Sequence, residues 1–302
     1  MIVVTAPTGQ IGSKVVRELL EHGRDVRVVV RDASRLEERV SHRVEVVEGS
    51  HGDRSVLDRA LLGADALFWL VPPNPAAPST LEHYLAFART ASGAIARQQV
   101  GHVVGISSAG HGWTKPAGVL SSAFAMDAEI QTSGADYRAL GMPFYLENLL
   151  RQLDAIVSRG SFSLTGAADV PVPTIATRDI AHTAVELLTD LSWAGQEDLP
   201  VFGPDRLTPD DMAAVMSEEL GRPVGYHRVS IDEYAAMLRS AGAPEQQVTE
   251  TVQTFTAVDE GIYDADWARA TPTATGFRTW CREVLVPAAR SASARTGSHA
   301  RP

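Results

Sequence analysis

Short apolar, β-branched runs alternate with segments of helical period from the first residues to about Leu150, and few folds accommodate that alternation. Ile2–Val4 leads through Ala6-Pro7-Thr8-Gly9 into Ile11, Val15, Val16, Leu19 and Leu20 at helical spacing, and Gly23 stops the run. Strands are then predicted at Val26–Val30, Val44–Val47, Ala66–Val71, Val103–Ile106 and Tyr137–Leu140. Helices are predicted at Ser34–Val40, Ser55–Leu62, Thr80–Arg97 and Phe124–Gln131. Strands separated by helices pair in parallel through right-handed crossovers, with helices on both faces of the sheet. The expectation for residues 1–150 is an α/β, doubly wound parallel sheet.

Past Leu150 the pattern loosens into Gly- and Pro-bearing loops (Arg159–Pro173). A helix follows at Asp179–Leu188, a short strand near Pro200–Phe202, a helix at Asp210–Leu220 and a strand at Val224–Val229. Thr208-Pro209 and the capping-box sequence Ser230-Ile-Asp-Glu233 open helices and carry no chemistry. Residues 151–287 read as a smaller α/β subdomain whose segments interleave with the first body, mainly binding substrate. Residues 288–302, aperiodic Ser, Ala, Gly and Arg, read as a disordered tail.

The charge balance of 27 Lys+Arg against 37 Asp+Glu, net −10, argues against nucleic acid as a partner. No apolar run approaches the ~20 residues of a membrane helix, and MIVVTAPTG lacks the regions of a secretory signal, so the cytoplasm is expected. The single cysteine, Cys281, excludes an intrachain disulfide, and the nine histidines show no paired ligand spacing, so no metal is expected. Whether the chain is a monomer or a homodimer is left open.

In Thr5-Ala-Pro-Thr-Gly-Gln-Ile-Gly12 the glycines sit where a strand turns into a helix. A dinucleotide site needs such a backbone, able to approach a pyrophosphate, beside a helix N-terminus whose free N–H groups favour anions. The departure is Ala6, which stands where the first glycine of the usual pattern would be. At the end of the second strand, where an acidic residue would bind the ribose hydroxyls, stands Arg31, which suits a 2′-phosphate; Ser34 and Arg35 add a hydroxyl and a second cation. NADP(H) is therefore favoured over NAD(H), while Asp32 reads as a cap of the next helix.

With these residues the chain resembles the NmrA-like branch of atypical short-chain dehydrogenases/reductases, Rossmann-type proteins that include quinone reductases, isoflavone-reductase-like enzymes and a redox-sensing regulator. The matching stretches run from T-A-P-T-G-Q-I-G and V-V-V-R-D through V-V-G-I-S-S-A-G and P-F-Y-L-E-N-L-L to L-P-V-F-G-P-D-R-L-T-P-D-D-M-A. The resemblance implies that Thr8, Gly9, Gln10, Ile11 and Gly12 wrap the pyrophosphate and that Arg31 meets the 2′-phosphate. It places Leu70, Val71 and Pro72 beside the adenosine, and Ser107 and Ser108 next to the nicotinamide. Ser50 stands where the family often has an aspartate near the adenine. Trp113, Phe144, Tyr145 and Asn148 are placed at the substrate, with Phe144 equally readable as core.

Typical short-chain reductases protonate the substrate oxygen with a tyrosine assisted by a lysine four residues later. The positions four after the six tyrosines are Ala88, Gly141, Leu149, Ser230, Leu238 and Trp267, so no Tyr-x-x-x-Lys exists. Where relatives often carry a lysine a turn before the glutamate matching Glu129, this chain has Ala125 and Met126. Two readings survive. One is an NADPH-dependent reductase of a quinone or polycyclic aromatic ketone, a small aromatic substrate whose oxyanion is self-stabilised; Ser107, Ser108 and His111 then orient the carbonyl or relay a proton. The other is a non-catalytic dinucleotide sensor that binds a regulatory protein, with the serines capping the strand and His111 solvated.

Overall fold

The computed structural model describes residues 1–298. Its first body comprises β1 (Ile2–Thr5), α1 (Gly12–Glu21), β2 (Val26–Val30), α2 (Glu38–Ser41), β3 (Glu45–Glu48), α3 (Arg54–Ala60), β4 (Ala66–Trp69), α4 (Thr80–Gln98), β5 (His102–Ser108), α5 (Val119–Gln131) and β6 (Asp136–Met142). The chain then runs through β7 (Phe144–Tyr145), α6 (Leu153–Arg159), β8 (Ser161–Leu164), β9 (Thr174–Ile175), α7 (Thr177–Thr189), β10 (Gln196–Pro200), α8 (Pro209–Leu220) and β11 (Gly225–Arg228). Five helices close it: α9 (Ile231–Ser240), α10 (Glu245–Asp259), α11 (Asp264–Arg269), α12 (Phe277–Trp280) and, after a π-helical turn at Cys281–Leu285, α13 (Val286–Ser298).

Seven parallel strands form the main sheet in the order β3-β2-β1-β4-β5-β6-β10. The chain winds outward from β1 to β3, then restarts at β4 on the other side of β1, and this reversal opens a crevice at the carboxyl ends of the strands. Thr5 pins the two strands there: its Oγ1 is shared between the carbonyls of Phe68 and Leu70 at 3.2 and 3.1 Å and accepts from the Leu70 N–H at 2.9 Å. Residues alternate faces along each strand, so both faces are apolar. Val4, Val28, Phe68 and Val104 pack under α1 and α7, and Val3, Val29, Leu67, Trp69 and Val103 pack under α3, α4 and α5.

Two segments beyond residue 150 return to this body. Helix α7 contributes Ile180, Ala181, Ala184, Val185 and Leu188 to the core shared with α1, and β10 lies alongside Tyr137–Gly141 of β6. The strand therefore falls a few residues earlier than the Pro200–Phe202 reading, because pairing with β6 decides its register. A separate core gathers Leu149, Ile156, Phe162, Met212, Met216, Phe277 and Trp280. The loop read at Arg159–Pro173 holds β8, which pairs with β11.

The tail expected from Ala288 is helical as far as Ser298. Alanine is the strongest helix former, the helix continues an already formed turn, and Ala289 is buried where α13 packs on α6. Residues 299–302 of that reading lie outside the described residues. Among the described residues no helix is long and apolar enough to cross a membrane.

Candidate functional site

The loop between β1 and α1 is shaped by backbone contacts. The Gly9 N–H donates to the Ala6 carbonyl at 3.1 Å, and a Cβ on Gly12 would sit 2.3 Å from that same oxygen, so only glycine lets the helix start this close to the strand. Ala6 itself has φ +50°, the left-handed conformation that a glycine adopts freely. Thr8, Gly9 and Gln10 are exposed at the mouth, whereas the Ile11 side chain is buried in the core and leaves only its backbone toward the loop. The N–H groups of Gln10, Ile11 and Gly12 donate to no protein group among the described residues, and the first turn of α1 carries no acidic residue. A free, positively polarised helix end in a cradle that a Cβ would fill fits a dinucleotide pyrophosphate. Lys14 stands over it, its Nζ donating to the Gln10 carbonyl at 2.7 Å. Burial lowers its pKa, opposed by the nearby Glu147 carboxylate.

Beside the loop, at the end of β2, Arg31 is exposed and makes no hydrogen bond or ion pair among the described residues. Asp32 caps the following turn by accepting from the Ser34 N–H at 3.0 Å and the Ser34 hydroxyl at 2.6 Å. Ser34 is thereby committed, while Arg35 lines a shallow cavity with Pro7, Thr8, Ser13, Val16, Leu36, Glu37 and Val40.

Past β3, the Ser50 hydroxyl accepts from the Gly52 N–H at 3.1 Å and is used in the turn. The neighbouring His51 fills the space instead, its ring 5.4 Å from Trp69 and 4.8 Å from Phe87. Burial, with Arg31 and His83 nearby, pulls its pKa down to about 4, and its Nε2 has no hydrogen-bond partner among the described residues. Leu70 is half-buried, Val71 buried and Pro72 exposed along the same sheet edge, and the Pro72 carbonyl is 2.9 Å from His83 Nε2.

At the end of β5 the structure assembles a polar cluster around Asp127. Its carboxylate, 2% exposed, accepts from the Ser107 hydroxyl, from Tyr137 at 2.6 Å and from His111 Nε2 at 3.0 Å. Asp198 of β10 lies 3.5 Å from the same His111 nitrogen. Burial alone would lower the His111 pKa, but the hydrogen bond and charge of Asp127, with Asp198 and Asp266, outweigh it and raise the value. Asp266 also accepts from the Gly110 N–H at 2.7 Å and pairs with Arg269 at 2.8 Å, fastening the histidine loop to α11.

Ser108 belongs to a second, phenolic group. Burial pushes Tyr263 up to about 12 against an opposing hydrogen bond with Ser108, and burial with Tyr84 and Tyr263 nearby raises Tyr145 further. Trp113 is half-buried against the Ala109–Tyr263 core with Lys115 Nζ 5.4 Å over its ring. Phe144 packs on the C-terminal core, and Asn148 is half-buried in the 3-10 segment Leu146–Gln152. The sequence reading missed Asp127, Asp198, Tyr84 and Tyr263. Asp127 was findable: it follows Met126 on the buried stripe Ala123, Met126, Ile130, and a carboxylate there needs partners. Glu129, half-exposed, is not the acidic residue that faces the strand end.

A glycine loop at a helix N-terminus, set at the strand-order reversal of a parallel sheet, is the architecture of the doubly wound dinucleotide-binding folds. The chain belongs to the NmrA-like family, whose model matches residues 1–280. It is 30% identical over 245 residues to the NAD(P)H azoreductase of Xenophilus azovorans, covering 81% of this chain and 82% of that one. It is 32% identical over 246 residues to the (4-alkanoyl-5-oxo-2,5-dihydrofuran-3-yl)methyl phosphate reductase of Streptomyces griseus subsp. griseus, with 81% and 82% covered. Its fold matches the NADPH-dependent quinone oxidoreductase of Escherichia coli, solved with NADPH, at a TM-score of 0.76 and 21% identity over 97% of this chain and 100% of that one.

Proposed function

We propose that the protein is an NADPH-dependent reductase of a quinone or a polycyclic aromatic ketone. The observation that carries this reading is the continuity of one sheet edge. A free helix end at the glycine loop, with Arg31 unpaired beside it among the described residues, shares the carboxyl edge of the sheet with Leu70–Pro72 and with Ser108, which Tyr263 meets by a hydrogen bond. The naming of two relatives as reductases, one of them for NAD(P)H, supports it.

In this reading Thr8, Gly9, Gln10, Ile11 and Gly12 hold the pyrophosphate with backbone N–H groups, Arg31 holds the 2′-phosphate, and the Ser50 turn with Leu70, Val71 and Pro72 walls the adenosine. Bound there, the reduced nicotinamide supplies a hydride. Trp113, Phe144, Tyr145 and Asn148 shape the substrate space, where flat rings gain contact by stacking. Ser107 and Ser108 orient the acceptor oxygen. No Tyr-x-x-x-Lys pair serves as acid, which suits acceptors whose developing oxyanion is stabilised by their own ring or by an internal hydrogen bond.

The test is oxidation of NADPH on adding a panel of quinones, aryl ketones and aliphatic ketones. Turnover is expected to follow the electron affinity of the aromatic acceptors, with aliphatic ketones nearly inert. Efficient aliphatic reduction would overturn the mechanism. Tight NADPH binding without turnover on any acceptor would favour a dinucleotide sensor.

A further inference from the structure

Ser107, Asp127, His111 and Asp198 come from three strands or helices and one loop, yet form an unbroken file from the sheet edge to the surface. Ser107 is the penultimate residue of β5 and donates to Asp127; Asp127 is 3.0 Å from His111 Nε2; His111 is 3.5 Å from Asp198, whose side chain is 34% exposed. We propose that this file is a proton relay that returns a solvent proton to the self-stabilised oxyanion left by hydride transfer. The proposal rests on the reductase reading above.

The balance is simple. A ketone carbon that takes one hydride from the dinucleotide leaves an alkoxide, which needs one proton. Ser107 passes its hydroxyl proton to that oxygen while Asp127 hands one to the serine and His111 hands one to Asp127. The net change is imidazolium plus alkoxide giving imidazole plus alcohol. His111 is then reloaded from solvent along Asp198. Tyr137, the third donor to Asp127, is wholly buried beneath the sheet edge and ends the file on the inner side, so among the donors to Asp127 the histidine leads outward.

The groups that face His111 are Asp127 on α5, Asp198 on β10 and Asp266 on α11, with Arg269 paired to Asp266; the Phe124 ring packs 4.3 Å from its centroid. Three carboxylates against one distant guanidinium hold the imidazole in its charged, donating form to higher pH than a free histidine. A fixed structural pin would need Asp127 and its hydrogen bonds; it would not need Asp198.

The experiment reads kcat against pH for an aryl ketone or quinone that the wild type reduces, alongside the His111 titration followed by NMR in the ligand-free protein. In the wild type kcat is expected to be flat at low pH and to fall as pH rises through the His111 pKa. Asp198→Asn, which spares the core, should lower that pKa in the NMR titration and move the kinetic limb to lower pH with it, leaving NADPH affinity unchanged. Ser107→Ala should lower kcat by roughly 10-fold, less than the ~10²–10⁴-fold of a lost general acid because water still reaches a stabilised oxyanion. A kinetic limb that stays put while the NMR pKa moves, or an NMR pKa that Asp198→Asn leaves unchanged, overturns the relay and leaves the reductase reading standing. A wild type that binds NADPH but reduces no acceptor overturns both.

Discussion

The two ends of the crevice are built from different materials. Around Gly9 and Gly12 the working groups are backbone N–H donors, positioned by one contiguous loop and the helix it starts. Around Asp127 they are side chains from β5, α5, β6, β10 and the loop before α5, held by hydrogen bonds to Asp127 and, at Asp198, by an ion pair with His111. A backbone site tolerates almost any side chain that leaves the path of the chain alone but fails where a Cβ must fit. A side-chain site tolerates small shifts of backbone and fails when one polar partner is lost. On the proposed function the crevice then has a rigid binding end and a tunable chemical end.

The sharpest way to break this contrast is at the two loop glycines, where the largest effect is expected. A Cβ on Gly9 meets only the Ala6 carbonyl at 3.3 Å, a contact that a small shift relieves, whereas on Gly12 it falls 2.3 Å from that oxygen and 2.9 Å from its carbon. Gly9→Val should fold and lose NADPH binding, because the branched side chain stands where the pyrophosphate must approach. Gly12→Ala should instead cost stability, of order 1–3 kcal/mol for overpacking against backbone. Calorimetric titration and chemical denaturation of both variants separate the two. Undiminished NADPH affinity in folded Gly9→Val would place the pyrophosphate elsewhere.

Arg31 sharpens the comparison from the side-chain direction, with a smaller effect. It is the charged side chain assigned to the 2′-phosphate, and it has no protein partner to lose among the described residues. Arg31→Ala should weaken NADPH by about 1.5–3 kcal/mol, roughly 10- to 150-fold, and leave NADH nearly unchanged. The loss should shrink at high salt, as screening of an exposed charge requires. Equal losses for both dinucleotides would remove Arg31 from the 2′-phosphate.

This difference in material also decides what was legible beforehand. The alternation of strands and helices to Leu150 and the loop of residues 8–12 are local patterns, and both are where the periodicity and glycine spacing put them, except that the helix expected at Ser34–Val40 is broken into a 3-10 turn at Ala33–Arg35 and α2 by extended backbone at Leu36 and Glu37. The Asp127 cluster is not local: Ser107 and Asp127 meet across β5 and α5, and Asp198 reaches His111 because β10 joins the main sheet beside β6, a pairing that nothing near Gln196 announces. Tyr263 reaches Ser108 from a segment left unassigned between α10 and α11, both of which also went unread. His51 was passed over for Ser50 because a one-residue offset in a turn decides which side chain points inward. The alanine-rich end was misread because composition without periodicity resembles disorder, while alanine's helix propensity and a docking surface on α6 are enough for a helix.

The smallest effect, and the finest test of the backbone end, is expected at Ala6. Its φ of +50° puts an L-residue with a Cβ in the left-handed region, which costs about 1–2 kcal/mol. Glycine removes that strain but loses about 0.5–1 kcal/mol of chain entropy on folding relative to alanine. The two terms oppose, and the strain is the larger, so Ala6→Gly should stabilise the protein by no more than about 1 kcal/mol. Because the loop already holds the conformation that glycine would adopt, NADPH affinity should not change. Urea denaturation reads the first quantity and calorimetric titration the second. A destabilised Ala6→Gly would mean that the half-buried methyl group contributes more by packing than its backbone strain costs, and that this departure from the glycine pattern is a device for holding the loop in place.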